Sequence, residues 1–104
     1  MLSQVVVHIR NSPNFCLENL IRVENFLISC VDSKIADFDG HDYGSNDSNI
    51  FVYTTEPKLL AGHLSDLILE KFPDINFAIG ARIENSDLDY EIIVSEGVRE
   101  ILIT

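Results

Sequence analysis

The chain has 104 residues, 46% of them hydrophobic, and a formal charge of −10 from 17 acidic and 7 basic side chains. That length makes one domain, residues 1–104, able to bury roughly 60–70% of its unfolded surface, and the composition excludes a disordered or low-complexity chain. The charge repels phosphate backbones and anionic bilayers, which argues against nucleic acid or a membrane as partner and favours a basic protein.

No apolar run approaches the roughly 20 residues of a membrane span. Nor does a basic and then apolar leader open the sequence, so the expected address is cytoplasmic.

In chain order, Gln4 to Arg10 alternates, with Val5, Val7 and Ile9 on one side and Val6, His8 and Arg10 on the other. That is a strand. Asn11-Ser12-Pro13-Asn14 reads as entry into a helix, with Ser12 as N-cap and Pro13 at the first position. Cys16, Leu17, Leu20, Val23, Leu27, Cys30 and Val31 then recur at helical spacing, and Glu18 and Arg22 form an i,i+4 pair on the polar face. Cys16 and Cys30 are expected as two buried thiols, too far apart along a helix to bridge. That fits a reducing compartment.

A short strand is expected at Ile35 to Phe38, then a long loop, then a stronger strand at Ile50 to Thr54. Thr55-Glu56-Pro57 starts a second helix that runs to about Phe72, with Leu60, Leu64, Leu67 and Ile68 inward and Lys58, Ser65, Asp66 and Glu70 outward. Ile75 to Ile83 alternates as a strand. A turn follows at Asn85 to Asp89, a strand at Tyr90 to Ser95, and a last strand at Val98 to Thr104.

This order predicts an α+β domain of ferredoxin-like type, βαββαβ with an additional C-terminal strand or hairpin. Two helices cover one face of an antiparallel sheet, and the other face is left open or used for contact.

Acidic residues are unevenly placed. Five carboxylates and one lysine lie between Asp32 and Asp47, and Glu84 to Glu91 holds four more with no cation. The turn-rich stretch from Asp37 to Asn49 reads as an exposed acidic loop. The calcium pattern fails there, because Gly40 comes too early after Asp37 and Ser48 stands where a Glu is required. The three histidines are scattered, so no metal is expected at His41. His8 and Arg10, joined by Arg82, are expected as a small cationic cluster on the open face that pairs with nearby carboxylates. Phe51 and Tyr53 sit where RNA-recognition domains place stacking aromatics, but no basic residue or glycine frames them. His63 reads as a helix-surface histidine. Ser12, Ser45 and Ser48 lack a nucleophile elbow, and no phosphate loop is present.

The run Phe38-Asp39-Gly40-His41-Asp42-Tyr43-Gly44, leading to Asn49-Ile50-Phe51-Val52-Tyr53 and Thr55-Glu56-Pro57, resembles small acidic bacterial proteins of ferredoxin-like arrangement. In overall type the chain resembles immunity proteins of polymorphic-toxin systems, such as contact-dependent growth inhibition. That resemblance implies a small cytoplasmic, non-enzymatic protein that neutralises a basic nuclease-type toxin, without cofactor, as monomer or homodimer. One contact patch would comprise Asp37, Asp39, Asp42 and Asp47, with Tyr43 as aromatic anchor. The other would comprise Glu84, Asp87, Asp89 and Glu91, with Tyr90 as anchor. Two alternatives stand beside it: an ACT-like small-molecule regulatory module, and a small dimeric ferredoxin-like enzyme using His8, Arg10 or His41.

Overall fold

The chain folds as β1 (Ser3–Arg10), α1 (Leu17–Cys30), β2 (Asp37–Tyr43), β3 (Asp47–Thr54), α2 (Pro57–Lys71), β4 (Asn76–Ile83) and β5 (Glu91–Glu96). This is seen in a computed structural model that describes residues 1–83 and 89–97. The sheet order is β2-β3-β1-β4-β5, and each of its four strand pairs is antiparallel. This α+β order fits a ferredoxin-like fold with one strand added beyond β4.

Strand register explains where the core lies. Val5, Val7 and Ile9 pair with Val52, Ile50 and Ser48 on β3, and with Ala81, Ile79 and Phe77 on β4. Paired residues share a face, and the apolar members of this set form one cluster with Leu20, Val23 and Leu27 of α1 and Leu60, Ala61, Leu64 and Ile68 of α2. Burying each large side chain of this kind contributes about 1.5–3 kcal/mol. Of the core residues read from periodicity, Leu17 is 42% exposed and Leu67 is only partly buried. Ser65, read as outward, is buried.

The second sheet face is not open at its centre. Val6, His8, Asn49 and Ala78 are all buried there. β1 and β4 are interior strands, so their outward residues are flanked on both sides by neighbouring strands, and alternation in sequence does not become alternation in exposure.

α1 begins later than expected. Ser12 closes a turn, accepting from Phe15 N–H at 3.0 Å, and Pro13 lies inside that turn. The cap is Cys16, whose N–H donates to Asn19 Oδ1 at 2.8 Å. A proline suits the second position of a turn as well as the first position of a helix, which is why the two readings diverge. Both cysteines, expected to be buried, are free and exposed, because Cys16 lies before the first turn and Cys30 ends the last.

The acidic stretch read as a loop is instead a strand. β2 pairs with β3 from Asp37↔Tyr53 to Tyr43↔Ser48, with a bulge between Phe38 and Gly40. Gly40 takes φ +116°, a backbone region open to glycine at low cost. Three residues, Gly44 to Asn46, then turn the chain into β3, and Gly44 N–H donates to Asp47 O at 2.9 Å. A side chain at Gly44 would meet that carbonyl at 2.8 Å. The expected strand at Val98–Thr104 and most of the turn at Asn85–Asp89 lie outside the described residues.

Candidate functional site

β2 is an edge strand. Its sheet partner is β3, and among the described residues no strand pairs with its other side. Asp37, Asp39 and Asp42 are exposed on it, and none takes part in an ion pair among the described residues. Register places Asp37 and Asp42 on the second face, opposite Tyr53 and Asn49, while Asp39 falls in the bulge. Edge strands invite unwanted pairing, and charges along them oppose it. A second copy of β2 would bring like charges together.

His41 and Tyr43 alternate to the helix face. The carboxylates that surround His41 in sequence therefore do not surround it in space. His41 Nδ1 meets Glu24 Oε1 of α1 at 3.0 Å. Glu24 is buried, and its Oε2 has no hydrogen-bond partner. Tyr43 is 40% exposed and donates its hydroxyl to Phe15 O at 3.2 Å.

α1 adds an apolar row beside this edge. Leu17, Ile21 and Ile28 are exposed and share a helical stripe with Glu24, at spacings of four, seven and eleven residues from Leu17. Since Glu24 reaches β2, the stripe runs along the β2 side of the helix. Periodicity assigns Leu17 to the core and gives no reason to single out Ile21 or Ile28.

Asp47, read as part of the same acidic patch, has a different setting. It opens β3 opposite Arg10. His8 Nε2 lies 3.6 Å and Arg10 Nε 3.9 Å from its Oδ1, which is buried without a hydrogen-bond partner. His8 is 1% exposed and joins Asn49 Oδ1 through Nδ1 at 2.7 Å. His8 and Arg10 thus neighbour a carboxylate, as expected, but His8 is closed to solvent. Arg82 is not with them, since it stands on the rung of Gln4, at the far end of β1 from Arg10. Replacing Asp47 by Asn should lower stability by about 0.5–1.5 kcal/mol, because the half-buried site beside the Arg10 guanidinium and the His8 ring loses its carboxylate. Asp39→Asn with Asp42→Asn should stay within about 0.5 kcal/mol. Urea unfolding of the two variants compares them, and equal losses would dissolve the distinction between Asp47 and the β2 carboxylates.

The second expected patch is seen in part. Asp89 and Glu91 are exposed, whereas Glu84 and Asp87 lie outside the described residues. Tyr90 turns inward. Its hydroxyl donates to Gln4 Oε1, Gln4 Nε2 donates to Tyr53 Oη at 3.3 Å, and the Arg82 guanidinium lies 4.6 Å from the Tyr90 ring centroid. Burial pushes the Tyr90 phenol above its ordinary value, with Arg82 opposing this in part. The folded state therefore favours the neutral phenol. That contribution is whole below the unfolded tyrosine pKa of about 10 and is lost as pH rises through the higher folded value. Absorbance titration should show a late phenol transition that is lost in Tyr90→Phe. A titration curve with no late transition, or one unchanged in Tyr90→Phe, would contradict the burial.

Among the described residues, no three His, Cys, Asp or Glu side chains gather as a metal-ligand group, and no helix is long and apolar enough to cross a membrane. Comparison with protein-family models, with curated proteins and with solved structures found no match.

Proposed function

We propose that this chain is a non-enzymatic binding protein that neutralises a basic partner, docking it along the β2 edge. In biological terms this is an immunity role against a nuclease-type toxin in the cytoplasm. The observation that carries the reading is the exposed edge strand itself, with three carboxylates that have no cationic partner among the described residues. An incoming extended segment would find backbone donors and acceptors along β2. On one face it would meet Asp37 and Asp42; on the other, the Leu17–Ile21–Ile28 stripe and Tyr43. The matching segment alternates basic and apolar residues. Two free exposed thiols suit a reducing compartment.

The enzyme alternative has less support. His8, one of the three residues that reading would use, is closed to solvent.

Hydrogen exchange on the complex with a basic partner captured at low salt provides the test. Binding should slow exchange in β2, above all from Asp39 to Tyr43. Protection confined to β5 or the helices, with β2 unchanged, would displace the interface from this edge.

A further inference from the structure

Cations are scarce in this chain, 7 against 17 carboxylates, yet two of them line one apolar cleft. The cleft holds about 240 Å³ between α1 and the turn after α2. Phe15, Val23, Phe72 and Ile75 give it an apolar lining, with Arg22 from α1 and Lys71 from the end of α2 beside them.

Neither cation has an ion-pair partner among the described residues. The pair expected between Glu18 and Arg22 does not form, and Arg22 lines the cleft instead. Lys71 Nζ lies 5.8 Å from the Phe26 ring centroid, and Phe26 packs edge-on against Phe72 at 5.6 Å. The aromatic pair therefore holds an ammonium beside an apolar wall. Asp74 is the carboxylate in the lining, so cations exceed anions by one. A broader groove of about 620 Å³ shares Phe15, Asn19, Asp74 and Ile75 with the cleft and gives it an approach from solvent.

The geometry points to a binding site for a small organic monocarboxylate with an apolar tail or ring. The carboxylate would sit between Arg22 and Lys71, with its apolar body against Phe15, Val23 and Phe72. The charge count selects a monoanion. A dianion would meet Asp74 and the field of a chain at −10, an amine would meet two cations, and a neutral analogue would forgo the charge-assisted hydrogen bonds. The volume falls just below the ~300 Å³ at which drug-sized pockets begin, so the ligand is small. This site is separate from the β2 edge and does not rest on the partner proposed there.

Titration of the ¹⁵N-labelled protein with octanoate and with phenylacetate, monitored through backbone amides, tests it. At least one carboxylate should give saturable shifts at residues 15–23 and 71–75, and its own uncharged amide should bind about tenfold more weakly. Arg22→Gln and Lys71→Gln are exposed changes that should keep the dispersed spectrum. Each should weaken the carboxylate about fivefold or more. The site is overturned if neither carboxylate saturates, if amide and acid bind alike, or if the shifts map elsewhere. It is equally overturned if both variants bind as the parent does. Which of the two carboxylates binds more tightly tells whether the apolar lining suits a chain or a ring.

Discussion

Phe77→Ala should cost about 3–5 kcal/mol and Leu20→Ala about 2–5 kcal/mol of unfolding free energy, whereas Leu17→Ala should cost less than about 1 kcal/mol. Phe77 and Leu20 are fully buried on the helix face, while Leu17 is 42% exposed on the same helix as Leu20. Phe77 pairs with Ile9 at one end of the β1–β4 ladder, so truncation there opens a void against sheet and helices together. Packed surroundings relax only in part, and the residual cavity adds to the lost transfer energy. A small domain has only about 5–15 kcal/mol in total, so Phe77→Ala should bring it close to unfolding at ordinary temperature. Urea melts with an unchanged slope would measure all three variants. A Leu17 loss as large as that of Leu20 would mean that α1 is rotated about its axis relative to the helix face described above.

The sequence carries local patterns well and pairings between distant residues poorly. α2 follows its expected limits because Pro57 starts it and Phe72-Pro73 stops it. β1, β3 and β4 fall where their apolar runs lie. β2 was legible only as a short strand at Ile35 to Phe38; its true span, Asp37–Tyr43, was hidden because Asp39, Gly40 and Asp42 have little intrinsic strand preference. Pairing with β3 and the short turn at Gly44 hold it in the sheet, and neither is written in the local composition. The burial of His8 was hidden in a similar way, since alternation assigns a side chain to a face but does not say how well that face is covered. Of the candidate site, the carboxylates could be read directly, because charge is visible in any sequence. Their division into β2 residues without a cation and an Asp47 beside His8 and Arg10 depends on strand register. The apolar stripe of α1 and the meeting of Arg22 with Lys71 required the packed helices.

Neutralising Asp37, Asp39 and Asp42 together as Asn should slow association with a basic partner about tenfold at low ionic strength. Each of the three is exposed and lacks an ion-pair partner in the described structure, so its field reaches into solvent. Their separation from Asp47 matters, since including Asp47 would mix a loss of stability into the measurement. The triple variant should melt within a few degrees of the parent, or slightly higher, because neighbouring like charges on one strand repel. Screening gives the control. At about 0.01 M salt the Debye length is about 30 Å and the whole edge acts on an approaching cation, while at about 1 M it is about 3 Å and the steering is gone. The parent and variant association rates should therefore converge as salt rises, with dissociation changing far less than association. Stopped-flow mixing across that salt range measures both rates. An unchanged association rate for the variant at low salt would remove β2 from the interface and leave its carboxylates the roles of solubility and of guarding an open sheet edge.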